Sequence, residues 1–172
     1  GQLEETGNPL DVALRGDGLF EVMDEATGAL RYTRAGRFTP GEDGTLRTPG
    51  GLVVQGADGP IQLPPNAGTI EIDDNGRIAV DGQSAGQLRV VSFDNPARLQ
   101  RLDGATFAAG NALPVDAEMP GVIQGSVERA NINPVREMTE MIEQFRLFEG
   151  QQKQIQTVDA LLGQLVRDTG KF

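Results

Sequence analysis

Four stretches of this 172-residue chain carry residue types that could do chemistry. Gly82-Gln83-Ser84-Ala85-Gly86 spells the G-x-S-x-G string in which a serine on a sharp turn acts as nucleophile. That chemistry needs a base to take the serine proton, and the chain holds no histidine. The segment also sits between short strand patterns and not before a helix, so it reads as a polar turn. Ser126 lacks a base for the same reason. Asp73-Asp74-Asn75-Gly76 offers oxygen ligands for calcium, but without the alternating ligands and closing glutamate of a helix–loop–helix site it reads as a turn. Arg15-Gly16-Asp17-Gly18 has neither the spacing nor the lysine of a phosphate loop. Lys153 and Lys171 fall in or just after a helical pattern, where solvated charge is the default. With no cysteine either, thiol nucleophiles, disulfides and thiolate metal sites are excluded. The reading is of a protein without catalytic, cofactor or metal residues.

Charge narrows the partners. The formal net charge is −10, from 15 Lys+Arg and 25 Asp+Glu. Such a chain is repelled by phosphate backbones and by anionic lipid surfaces, which argues against nucleic-acid binding. From Asn131 onward stand five bases and six acids, so residues 1–130 hold 10 bases and 19 acids. The acidic part and the near-neutral tail are different surfaces. No run approaches the 18 or so apolar residues of a membrane span, and no basic-then-apolar leader opens the chain.

The elements around these residues are of two kinds. Residues 1–130 hold short apolar-alternating runs divided by turn chemistry: Leu10 to Leu14, Leu19 to Val22, Leu30 to Thr33, Leu52 to Val54, Thr69 to Ile72, Arg77 to Val80 and Leu88 to Phe93. Asn75-Gly76 is a hairpin signal whose two residues both tolerate positive φ. Asn95 to Leu99 fits one helical turn, Asn111 to Gly121 a loop, and Val122 to Arg129 one last strand. Turns every 8–12 residues, with 23 glycines and 10 prolines, predict a compact all-β domain of sandwich or barrel type.

At Asn133-Pro134 the pattern changes, with a favoured N-cap followed by a favoured first helical residue. Apolar residues then recur at Val135, Met138, Ile142, Phe145, Phe148, Ile155, Val158, Leu162 and Leu165. Their spacing of 3 or 4, with Gln152 filling one gap, is close to the coiled-coil repeat. Met141, Leu147, Leu161 and Val166 widen the stripe. Residues 131–172 are thus expected to form a long amphipathic helix of roughly 36 residues, or about 54 Å. A domain of about 130 residues has a radius of gyration near 14 Å, so such a helix needs a partner helix to cover its stripe. Gly150 and Gly163 are weak points within it, each costing about 1 kcal/mol against Ala.

Two segments resemble the axial proteins of the bacterial flagellum, the rod and hook family. The first is Thr6-Gly7-Asn8-Pro9-Leu10-Asp11-Val12-Ala13-Leu14, then Gly16-Asp17-Gly18-Leu19-Phe20-Glu21-Val22 and Tyr32-Thr33-Arg34-Ala35-Gly36-Arg37-Phe38. The second runs from Asn131-Ile132-Asn133-Pro134-Val135-Arg136-Glu137-Met138 through Phe148-Glu149 and Gln152-Lys153 to Asp159. Pro134 and the Phe148-Glu149 run resemble the proximal rod type more than the distal rod or hook types. The resemblance implies a structural subunit of the proximal rod, a helical drive shaft that crosses the periplasm, transmits torque and encloses an export channel. It implies export by the flagellar secretion apparatus without a cleaved signal peptide, and neighbouring rod subunits as partners. The nine stripe residues from Val135 to Leu165 would then be the assembly interface. The family's N-terminal helix, which pairs with the C-terminal one, has no counterpart here, so the chain resembles a truncated or processed form. The rival readings are a distal rod or hook-type protein and, from another class, a carbohydrate-binding β domain or carboxylate-based enzyme.

Overall fold

The computed structural model describes residues 2–103, 105–117, 119–129, 138–139 and 141–153. By internal contacts the chain divides into two compact units, Gly1–Ala130 and Asn131–Phe172. The first is a β unit. Its strands are β1 (Leu3–Glu5), β2 (Val12–Leu14), β3 (Leu19–Asp24), β4 (Ala29–Thr33), β5 (Thr39–Pro40), β6 (Leu46–Arg47), β7 (Val53–Gly56), β8 (Gly59–Pro60) and β9 (Ile70–Ile72). They continue as β10 (Arg77–Val80), β11 (Gln83–Gln87), β12 (Val90–Phe93), β13 (Gln100–Arg101), β14 (Thr106–Ala108), β15 (Pro114–Asp116), β16 (Val122–Gln124) and β17 (Ser126–Glu128). Strand β3 is the hub, pairing antiparallel with β4, β7 and β12. Strands β9, β10 and β11 form a three-stranded sheet, while β1–β17 and β2–β16 are two-stranded. The sheets are open, so among the described residues the architecture is layered and not a closed barrel.

Alternation along β3 explains the layering. Phe20 and Val22 enter a main core with Leu46, Val54, Ile78 and Leu88, all buried. Phe20 meets Phe38 edge to face at 5.3 Å between ring centres, a geometry aromatic pairs favour. On the other face a smaller cluster forms around Tyr32, Val91 and Phe93, with Tyr32 and Phe93 edge to face at 4.9 Å. Glu21 also lies on that side and is buried; Arg89 meets it at 3.4 Å, so the charge is paired.

Several expectations are revised. Gly82–Gly86 is not a turn, because residues 83–87 pair with β10 as strand β11. The turn lies one step earlier, where Asp81 and Gly82 both take positive φ. Asn111–Gly121 is not all loop, since β15 pairs with β12 within it. The single last strand is two, broken at Gly125, which takes φ +71°. At Asn75-Gly76 only Gly76 takes positive φ, at +77°. The Gly76 N–H donates to the Asp73 carbonyl and the Asp73 N–H to the Arg77 carbonyl, giving a three-residue hairpin loop. Pro96–Arg98 is one 3-10 turn capped by the Asn95 side chain, as the sequence predicts.

Candidate assembly surfaces

The motif residues of the β unit build its frame. Gly7 takes φ +72°, a conformation that suits glycine, and turns the chain out of β1. The Asn8 side chain then accepts from the Leu10 N–H at 3.2 Å and donates to the Asp11 carboxylate at 3.2 Å. Val12 donates its N–H to the Gly36 carbonyl at 2.8 Å, and this contact leaves no room at Gly36. A Cβ there would stand 1.9 Å from the Val12 carbonyl oxygen. Arg34, two residues before, reaches three acceptors: the carbonyls of Gly18 at 2.7 Å and Leu14 at 2.9 Å, and the Glu128 carboxylate at 2.5 Å. Burial pushes the Glu128 carboxyl up, but the Arg34 hydrogen bond and charge hold it below the usual glutamate value. Thus Arg34 ties the Gly16–Gly18 loop to the last strand.

A second clasp was not foreseen from the sequence. The Gln124 side chain donates to the carbonyls of Pro9 at 3.0 Å and Ile70 at 2.9 Å, and accepts from the Ile72 N–H at 3.2 Å. One amide therefore joins the Asn8–Asp11 turn to the three-stranded sheet. Glutamine in an alternating strand carries no signal of this; only the fold places its partners.

Where first and last strands meet the Arg15–Gly18 loop there is a groove of about 890 Å³. Its lining includes Leu3, Leu19, Phe93, Leu99 and Phe107, with Arg15, Asp17 and Asp94 among its charged groups. Ser92 is the hydroxyl in that lining, and its Oγ donates to the Val115 carbonyl at 3.4 Å. The groove can hold apolar groups and offers no serine–base pair.

The Asp73 turn is also built from within. The Asp73 carboxylate accepts from the N–H groups of Asn75 at 2.9 Å and Arg77 at 2.8 Å. It is spent on backbone donors, as aspartate at a turn commonly is. Asp43 acts alike: hydrogen bonds from Thr45 first, and then Arg47, hold its carboxyl down at about 2.

The second unit presents a different surface. Residues 138–139 and 141–153 are helical, and the helix runs through Gly150 without a break. Met138, Ile142, Phe145 and Phe148 of the predicted stripe are 54–65% exposed, and Met141 is 64% exposed. Leu147, at 69%, does not widen this stripe: at 100° per residue it lies about 160° round from Phe145. It stands alone on the polar side of the helix among Glu143, Gln144 and Gln151. Val135, Ile155, Val158, Leu162, Leu165, Gly163 and the Asn133-Pro134 start lie outside the described residues.

Comparison with known proteins identifies the architecture. Residues 13–80 match the flagellar hook protein FlgE/F/G D1 domain, and residues 123–168 the C-terminal region of flagellar basal body rod FlgEFG proteins. These define an axial protein of the hook and rod class. Among curated relatives, the flagellar basal-body rod protein FlgF of Mesorhizobium japonicum is 38% identical over 87% of this chain and 62% of its own length. FlgG of Agrobacterium fabrum is 34% identical over 94% of this chain and 65% of its own length. FlgF of Salmonella typhimurium is 36% identical over 92% of this chain and 68% of its own length. The chain belongs to the flagellar basal-body rod protein family, close to its FlgF members. It spans somewhat less than two thirds of the first of these relatives. No described helix is long and apolar enough to cross a membrane.

Proposed function

We propose that the chain is a structural subunit of the flagellar proximal rod, which assembles helically into a shaft that transmits torque and encloses the export channel. It does mechanical work and no chemistry. The observation that carries this reading is the helix of the second unit. Its exposed methionines, isoleucine and phenylalanines repeat at 3 or 4 residues, the spacing of a seam made for another helix. Burying each such side chain would contribute about 1.5–3 kcal/mol, a strong drive to associate. The nine stripe residues form the assembly interface in this reading, with residues 1–130 as the outer domain and 131–172 as a coiled-coil helix.

The partner helix is the N-terminal helix of the rod family, in line with the wider length of the relatives. The β unit is in keeping with it: β1 and β17 pair antiparallel, which brings residues 2 and 129 together at one end of the ribbon. The site of action is the basal body, along the rod crossing the periplasm, reached by flagellar export without a cleaved signal.

Density of purified basal bodies tests this. Placement of the chain in the proximal rod is the expected result, and labelling outside the basal body would overturn it. Because FlgF and FlgG proteins are both relatives, a distal rod role is the second reading. Restored swimming in a strain lacking FlgG, and not in one lacking FlgF, would select it.

A further inference from the structure

The β unit holds its two ends unequally. Strand β17 is anchored in the body: Ser126 and Val127 are buried, and Glu128 is gripped by Arg34, whose other nitrogens bind the Leu14–Gly18 segment. Among the described residues strand β1 pairs with β17 alone, and all three of its residues are exposed. Its register is Leu3 with Glu128, Glu4 with Val127 and Glu5 with Ser126. Beyond that register, the Arg129 N–H donates to the Gln2 carbonyl at 2.9 Å, and Thr6 and Gly7 donate to the Gly125 carbonyl at 2.8 and 3.2 Å. Arg129 also meets Glu4 at 2.6 Å, an exposed pair of small worth.

Direction of force decides what this ribbon resists. The strands are antiparallel, so residues 2 and 129 lie at the same end. Tension that separates them loads the cross-strand hydrogen bonds one after another, as in opening a zip. Tension that draws the C-terminal end away from the body instead loads β17 and its anchors together. Peeling stops at a defined place. The Pro9 carbonyl is held by Gln124, the Leu10 carbonyl accepts from Phe38, and Leu10 is buried.

We propose that β1 is a mechanical release: tension between the two ends of the β unit peels residues 2–8 from β17 at low force, while the rest of the domain stays folded. In a rotating shaft this would be a compliant joint, and that meaning rests on the rod reading. The strand property itself belongs to the chain alone.

Single-molecule force spectroscopy on the full chain tests it. The absence of native cysteine lets handles be placed at will. With handles at Gln2→Cys and Ala130→Cys, an early lengthening of at least about 2.4 nm is expected at lower force than the main rupture, since seven extended residues span about 24 Å. With handles at Asp58→Cys and Ala130→Cys, β1 is not loaded and the early step should vanish. A single rupture of the whole domain in the first geometry overturns the proposal, as does an equal early step in both. Neither result bears on whether the chain enters the rod, which the basal-body density decides.

Discussion

The β unit and the described helix use apolar residues in opposite ways. The β unit builds a core from them: Val12, Phe20, Val22 and Leu46 have no exposed surface, though Leu113 and Met119 stay outside, and its polar motif residues are spent on its own backbone. The helix displays them, with Phe145 and Phe148 each more than half exposed. The first packs its core when it folds; the second carries the proposed assembly surface. On the proposed assembly reading, stability and assembly are assigned to different residues and can be broken separately.

The largest expected effect tests the β unit. Gly36→Val should leave the β unit unfolded, because its Cβ would overlap the Val12 carbonyl. A loss of about 4 kcal/mol or more, read by thermal or urea melting, is expected. A soluble, normally melting G36V protein would sink this account of the motif glycine.

Next comes the contrast itself. Phe20→Ala removes a fully buried ring and should cost about 3–5 kcal/mol in chemical denaturation. Phe145→Ala should change the stability of the isolated chain by under about 0.5 kcal/mol, since the ring is 65% exposed. The same change should weaken association with other rod subunits, measured by sedimentation or by swimming of a complemented strain. If F145A lowers isolated stability as much as F20A, the helix is not an open surface and the comparison fails.

Gln124→Ala is intermediate. It strands the Pro9 and Ile70 carbonyls and the Ile72 N–H, for a cost of about 1–3 kcal/mol. Hydrogen exchange should report faster opening at Ile72, and unchanged exchange there would remove the clasp from the frame.

The smallest effect is with pH. Glu128 titrates lower folded than unfolded, so its contribution is present above its ordinary value of 4.5. It is lost as pH falls through the lower folded value. Asp43 adds the same sign between 3.8 and about 2, discounted because its side chain is exposed and solvent screens it. Glu128→Gln should flatten the decline in melting temperature below pH 4.5; an unchanged acid slope would show that Arg34 does not hold that carboxylate.

Some of this was legible in the residues and some was not. Periodicity marked β3 and β10 because local burial dictates it, and the helix because its apolar residues recur at 3 or 4. The Thr6–Asp11 and Tyr32–Phe38 motifs could be quoted, but their work could not, since Gly36 is defined by a strand 24 positions earlier. Strand β15 was missed because it lies in a segment opened by Leu113-Pro114 and its exposure leaves no alternation; Leu113 is 82% exposed. Strand β11 was missed because Gln83 to Gln87 carries no apolar face and is strand only by pairing with β10. Of the proposed interface, the spacing was readable from end to end. That Leu147 stands off the stripe follows from counting degrees around a helix that proves continuous past Gly150.

The Gln2–Arg129 backbone bond has a consequence for protein engineering. A domain whose chain enters and leaves within one hydrogen bond is a cassette. It can be cut out and its flanks closed by a tight turn, or replaced by another domain with adjoining ends, while the spacing of the flanking segments is kept. On the proposed rod reading, grafting at residues 2 and 129 would exchange the β unit and leave the helix residues 131–172 as they are.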